Sequence, residues 1–329
     1  MKRTAKLMTG VATAALAFTT ALPAFAAEKW DMPMAYSASN FHSENGVTFA
    51  QCVTDGTSGE IEITVHPGGS LFAGADIKRA IQTGQVQIGE RLLSGHQNES
   101  AVFGFDSIPF LAPSFDDSGK LWEAAKPKVE AVLEEQNLHL LYNVPWPPQG
   151  LYFKKEVNSV ADMAGVKFRS YNNTTARLAE LTGMAPVTIE AAEVSQAFAT
   201  GVAESMISSG ATGYDQKVWE SLTHYYEVDA WLPRNYVMVN ADVWSGVSDA
   251  NKQIINTCAT EAEARGLQAS KDYTQFTYDG LREGGMAVGP ASEELMSGLR
   301  EVGATMTAEW LEAAGDDGKA IVDDFQAMK

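Results

Sequence analysis

The sequence predicts an α/β protein of two domains, on three observations. Short alternating or β-branched runs are interleaved with helical patterns along most of the chain, as expected of parallel sheets covered by helices. Without its first 26 residues the chain keeps about 300, a length that usually folds as two domains. The rigid segment Pro145-Trp-Pro-Pro-Gln-Gly150 separates two strand patterns and is a natural place for the chain to change domains.

The elements follow in order. Lys29–Tyr36 alternates and reads as a strand, and Asn40–Thr57 as a helix capped by Ser39 or Asn40. Ile61–His66 alternates until Pro67-Gly-Gly breaks it, Ala75–Thr83 is helical, and Val86–Gly89 is a short strand. A helix over Asp116–Gln136 leads to a strand over Leu138–Val144. Beyond the proline segment, Leu151–Phe153, Val166–Phe168, Pro186–Ile189 and Ser205–Ile207 read as strands, with helices over Thr174–Thr182 and Glu190–Thr200. Asn235–Asn240 is another strand. From Ser248 to Leu281 the helical pattern is nearly unbroken, long for a globular helix. Helices around Ser292–Val302 and Thr305–Ala314 close the chain.

Residues 1–26 read as a secretory leader: Lys2, Arg3 and Lys6, an apolar run from Leu7 to Leu22, then Ala24-Phe-Ala26 as a small-x-small cleavage site. No cysteine follows for lipid attachment, and no other stretch has about 20 continuous apolar residues. The expectation is an exported, periplasmic chain starting near Ala27. The leader holds three basic residues and no acid, so the formal charge of −18 becomes −21 without it. That surface repels nucleic acid and anionic lipid, and an acidic ligand would need locally placed donors. Cys52 and Cys258 fall in predicted helices and could pair in an oxidising compartment, but sequence does not place their Cβ atoms. Histidines and cysteines are not clustered at metal-ligand spacing. No Gly-rich phosphate loop follows a strand and no GxSxG elbow is present, so neither a nucleotide cofactor nor a serine hydrolase is indicated.

Arg169 stands out. It ends the strand Val166-Lys-Phe and precedes a polar stretch, Ser170-Tyr-Asn-Asn-Thr-Thr. Ligands of α/β sheets bind beyond the carboxyl ends of strands, and a guanidinium fork there suits two-point capture of a carboxylate. A solvated ion pair is the alternative for any single arginine.

Asn158-Ser-Val-Ala-Asp-Met-Ala-Gly-Val-Lys-Phe-Arg169 resembles the NSxxDMxGxKxR signature of the substrate-binding proteins of tripartite ATP-independent periplasmic (TRAP) transporters, of DctP type. The resemblance continues in Leu181-Thr-Gly-Met-Ala-Pro-Val, Glu193-Val-Ser-Gln-Ala-Phe and Gly201-Val-Ala-Glu-Ser, and upstream in Ile81-Gln-Thr-Gly-Gln-Val-Gln-Ile-Gly and Ile108-Pro-Phe-Leu, in the family's order. It implies a two-domain periplasmic-binding-protein fold with the ligand in the cleft and the long helix spanning both domains. It places one domain at 27–146 plus 235–274 and the other at 147–234 plus 275–329. It implies a monomer without cofactor or metal that binds an organic acid by domain closure, performs no chemistry, and delivers the acid to a small and a large membrane subunit. Arg169 matches the family's carboxylate-binding arginine.

Two departures stand out. Where the family often has an asparagine, this chain has Ser208, with Ser209 beside it; these hydroxyls either donate to the ligand or cap the strand-to-helix turn. Where some relatives carry a second arginine, this chain has Gln149, which disfavours a sialic-acid type of site. Arg91 could supply the second cation or pair with Glu90. Asn40-Phe41-His42 follows the first strand, and Tyr171 follows Arg169. Asn172 and Asn173 read as helix caps. Trp146, Tyr152, Trp219 and Tyr236 are expected near the cleft, where aromatics are common, although a core position is the default for each taken singly. Together these features favour a small monocarboxylate with an apolar or aromatic face. Sugar acids and ectoine-like solutes, a periplasmic sensor subunit, and an exported enzyme acting on an acid are the alternatives.

Overall fold

The computed structural model describes residues 27–329; the expected leader lies outside the described residues. The chain begins with β1 (Glu28–Pro33), α1 (Phe41–Gly56), β2 (Ile61–His66), α2 (Gly74–Gln82), β3 (Ile88–Leu92), two 3-10 turns, α3 (Phe115–Glu135) and β4 (Leu138–Pro145). It crosses into β5 (Gln149–Phe153), β6 (Lys167–Ser170), α4 (Asn173–Leu181), β7 (Ala185–Thr188), α5 (Val194–Ala199), β8 (Ser205–Ser209), α6 (Gly210–Asp215) and β9 (His224–Glu227). It returns through β10 (Arg234–Asn240) and α7 (Ala241–Gly246), then closes with α8 (Asp249–Glu283), β11 (Ala287–Pro290) and α9 (Glu293–Ala327).

The strands form two lobes. In the first, β1 pairs in parallel with β2, and β10 lies between β3 and β4, antiparallel to both. In the second, six strands run in the order β11-β9-β5-β8-β6-β7. There β7, β6 and β8 are mutually parallel, while β5 is antiparallel to β8 and β9. The sheets are therefore mixed rather than wholly parallel, because extended chain passes directly from one lobe to the other. Between the lobes the two crossing segments pair: Trp146 N–H donates to the Pro233 carbonyl (2.7 Å), Gln149 N–H to the Trp231 carbonyl (3.0 Å), and Ala230 N–H to the Gln149 carbonyl (3.0 Å). Pro147 and Pro148 have no N–H to give. The ladder is thinnest there, which suits a hinge.

Helix starts follow local chemistry. The side chains of Asn40, Ser114, Ser248 and Ser292 accept backbone N–H groups at the starts of α1, α3, α8 and α9, satisfying donors with no partner in the first turn. At 35 residues, α8 is about 52 Å long at 1.5 Å per residue. It packs on α1 and β4 of one lobe and on α6 and β11 of the other. Cys52 of α1 and Cys258 of α8 are disulfide-bonded, with Cα atoms 5.9 Å apart.

The end of the chain departs from expectation. The pattern predicts a break near Val302–Thr305, but α9 runs straight through it, with Gly303 against Pro109 and Phe110. The break is at Gly315, where φ is 56° and ψ −135°, a conformation costly for any residue with a Cβ. Beyond it the helix leaves the second lobe. Ile321 and Phe325 enter the core formed by Ile77, Ile81, Trp122 and Val129 of the first, and Lys128 of α3 pairs with Asp317. Residues 316–327 thus pack on the first lobe, because their apolar face finds its partner on α3.

Candidate functional site

In the second lobe β6, β7 and β8 are parallel, so their carboxyl ends open at one edge. Arg169 is there, with Glu190 just past β7, Ser208 on β8, and Gln149 paired in register with Ser209. From the first lobe the ends of β3 and β4 and the loop after β1 bring Arg91, Trp146 and Tyr36 to the same place. Together with Tyr171, Thr212 and a few apolar neighbours they line a cavity between the lobes with about 460 Å³ of atom-free space.

Arg169 is buried at the cavity wall. Its Nε donates to the Ile189 carbonyl (2.9 Å), and the guanidinium lies 5.2 Å from the centre of the Tyr171 ring. Among the described residues its terminal nitrogens have no hydrogen-bond partner, so one edge of the fork remains open. Burial pushes its pKa down, opposed by Tyr171, Tyr36 and Glu190; an arginine keeps its charge regardless. Tyr171 is itself held: its hydroxyl accepts from Trp231 Nε1 (3.0 Å) and donates to Gln149 Oε1 (3.3 Å). Gln149 Nε2 donates to the Pro147 carbonyl (3.1 Å), which ties this side of the cavity to the hinge.

Arg91 does not pair with Glu90. Successive strand residues face opposite ways, and β3 turns Arg91 to the cavity and Glu90 away from it. Arg91 Nε donates to His96 Nε2 (3.3 Å), His96 Nδ1 contacts Glu99 (2.8 Å), and Glu99 meets the buried Lys78. Burial, with Arg91 beside it, pulls the His96 pKa down to about 4. At neutral pH the ring is therefore uncharged, accepting from Arg91 and donating to Glu99. The outer guanidinium nitrogen of Arg91 reaches across the cleft to Glu190 (3.4 Å).

Glu90 accepts from Asn235 Nδ2 (2.6 Å), and Asn235 accepts from Trp146 Nε1 (2.9 Å). Burial raises the Glu90 carboxyl to about 8, with Asn235 opposing. A carboxyl whose folded pKa exceeds its unfolded value stabilises fully below the unfolded pKa, and that contribution is lost as pH rises through the folded one. Glu90→Gln should therefore leave the melting temperature near wild type at pH 5 and raise it above wild type at pH 9. Equal melting differences at both pH values would contradict a neutral Glu90.

The other expected residues divide. Ser208 lines the cavity, whereas Ser209 caps α6, its hydroxyl accepting from Thr212 N–H. Asn40 caps α1 and donates to Asp215 Oδ2 (2.7 Å) across the mouth of an adjoining cavity. Phe41 and His42 pack behind Trp146, at ring distances of 5.4 and 4.3 Å, rather than lining the cavity. Among the described residues neither His42 ring nitrogen has a hydrogen-bond partner, Nδ1 lying 3.8 Å from Glu90 Oε2, and burial drives its pKa well down. Tyr236 is not at the cleft: its side chain packs on Trp122 and its hydroxyl reaches Asp106 (3.3 Å). Tyr152 is also core, bonded to the Ser209 carbonyl (2.8 Å), and Trp219 packs on Tyr214 and Gly284. Asn172 caps α4, as expected, and Asn172 Nδ2 also reaches Ser94 across the cleft (3.0 Å). Tyr36 and Glu190 were missed. Tyr36 ends one strand pattern and Glu190 immediately follows another, so the rule that singled out Arg169 applied to them equally.

Among the described residues there is no cluster of His, Cys, Asp and Glu able to hold a metal, and no helix is long and apolar enough to cross a membrane. The description "Bacterial extracellular solute-binding protein, family 7" (DctP) matches residues 34–313. The chain belongs to the DctP family. Among solved DctP-type structures, a marine metagenome TRAP solute-binding protein from an unidentified microbe, specific for and in complex with co-purified pyroglutamate, is 54% identical. The match covers 92% of this chain and 100% of that one, with a TM-score of 0.91. The Bordetella pertussis solute receptors DctP6 and DctP7, both described as binding pyroglutamic acid, are 43% and 38% identical. They cover 91% of this chain, and 99% and 100% of their own, with TM-scores of 0.89 and 0.90. The chain is thus a TRAP-type solute-binding protein.

Proposed function

We propose that this receptor binds pyroglutamate or a close cyclic monocarboxylate. The carrying observation is the open edge of the buried Arg169 fork in a small cavity between lobes, set for one carboxylate. Arg91 supplies a second cation from the opposite lobe. Pyroglutamate adds a lactam with one N–H donor and one carbonyl acceptor, for which Gln149, Ser208 and the tyrosine hydroxyls offer partners. Its flat ring matches the apolar faces of Trp146 and Leu92. The monocarboxylate expected from sequence is thus retained, with a lactam in place of an aromatic ring. Three relatives at 38–54% identity described with this same ligand support the reading.

The mechanism is hinge closure without chemistry. We take 27–146 plus 235–274, with 316–327 added, as one rigid domain, and 147–234 plus 275–315 as the other. Bending occurs where Pro147 and Pro148 thin the ladder. The protein acts as an exported, periplasmic monomer that hands its ligand to the small and large TRAP membrane subunits.

A thermal-melt panel tests the ligand. Pyroglutamate at about a hundred times its dissociation constant should add roughly 2.7 kcal/mol of stability, visible as an upward shift. Mass spectrometry of the denatured protein identifies any acid carried through purification. A shift with a uronate or a dicarboxylate and none with pyroglutamate would overturn the assignment.

A further inference from the structure

We propose that Glu190 restricts this site to singly charged acids by furnishing the cavity with a carboxylate of its own. The inference rests on the monocarboxylate reading above and deepens it. Of the residues lining the cavity, those bearing formal charge are Arg91, Arg169 and Glu190. The lining therefore has one uncompensated positive charge, which a monoanion cancels. A dianion would leave a net negative charge in a mostly buried space, beside a glutamate, where like-charge contact is costly.

The Glu190 carboxylate is held in place. Arg91 reaches it from the opposite lobe at 3.4 Å, with the arginine side chain 6% and the glutamate 35% exposed, so the pair sits at the cavity mouth. Gly74 opens α2, and a Cβ there would lie 2.8 Å from Glu190 Oε2, 2.9 Å from the Arg91 nitrogen and 3.2 Å from Ala35 Cβ. Glycine thus leaves room for the ion pair against the first turn of α2. That helix has no side-chain cap, since Ala73 precedes it, and its unpaired N–H groups favour a nearby anion. Arg91 is fixed from behind by His96, Glu99 and Lys78. Because Arg91 and Glu190 come from different lobes, their contact forms on closure, so charge selection and closure act through the same pair.

The test is calorimetric titration of wild-type protein, Glu190→Gln and Glu190→Asp, each freed of bound acid, with pyroglutamate and with the dianion glutarate. Wild type should prefer pyroglutamate by a hundredfold or more. Glu190→Gln should narrow that preference by about tenfold or more, chiefly through tighter glutarate binding, as expected from removing a like charge worth over 1.4 kcal/mol. Glu190→Asp should retain most of the preference. A preference equal in wild type and Glu190→Gln, with pyroglutamate bound by both, would overturn the role of Glu190 and leave the ligand assignment standing. Conversely, if wild type prefers another monocarboxylate over glutarate and Glu190→Gln erodes that preference, pyroglutamate falls but Glu190 keeps its role. Glutarate binding more tightly than any monocarboxylate would end both.

Discussion

Arg169→Ala should fold and fail to bind. The side chain is buried, and among the described residues its one hydrogen bond goes from Nε to the Ile189 carbonyl, leaving the terminal nitrogens for a ligand. Deleting it leaves the ligand's carboxylate facing Arg91 alone in a space largely closed to water. Breaking a buried charge pair by removing one partner costs about 3–5 kcal/mol, which corresponds to a loss of roughly two to three and a half orders of magnitude in affinity. The free protein should lose far less, because the guanidinium satisfies only one backbone acceptor and itself resists burial. Calorimetry with pyroglutamate measures the first effect and a ligand-free thermal melt the second. Affinity within threefold of wild type would move the anchor to Arg91. A collapse of the ligand-free melt would make Arg169 structural. Arg169→Lys separates charge from geometry: a point charge retains attraction but loses the two-point fork, so it should recover only part of the binding.

Reducing the Cys52–Cys258 bond should produce the largest change in stability. The bond joins residues 206 apart in sequence, and the chain-entropy estimate for a loop of that length is on the order of 5 kcal/mol. The native geometry asks little in return, since α1 packs directly on α8 along the helices that carry the two cysteines. The expected result is a lower denaturant midpoint for the Cys52→Ala/Cys258→Ala protein, with pyroglutamate affinity unchanged because neither cysteine lines the cavity. The denaturation slope must be compared too, because a cross-link also alters how far the unfolded chain expands. An unchanged midpoint would mean that the helix packing alone holds the first lobe to the long helix. A loss of affinity along with stability would mean that α8 transmits strain to the cleft.

Several features were legible in the chain because their causes are local. The long helix shows as a nearly unbroken helical pattern from Ser248, and the caps Asn40 and Asn172 announce helix starts. Arg169 was legible because strand, polar stretch and helix follow each other within a dozen residues. Other features depended on neighbours distant in sequence. β9 and β11 pair with each other, His224 beside Ala287, a partnership between distant segments that no local pattern announces. α9 passes Gly303 and breaks at Gly315 because of what each meets: Pro109 and Phe110 at one, open space at the other.

The site divides in the same way. Sequence by itself determined the chemistry offered at strand ends: a guanidinium at 169, another at 91, and a serine pair at 208–209. The tertiary structure decided which of these face the cavity. Side-chain direction on β3 sends Arg91 inward and Glu90 outward. The turn into α6 commits Ser209 to the backbone and leaves Ser208 free. The pairing of Arg91 with Glu190, 99 residues apart, exists only because two lobes close on each other. Residue type is written in the chain, but the net charge of a cavity depends on which side chains share it, and only three-dimensional packing brings them together.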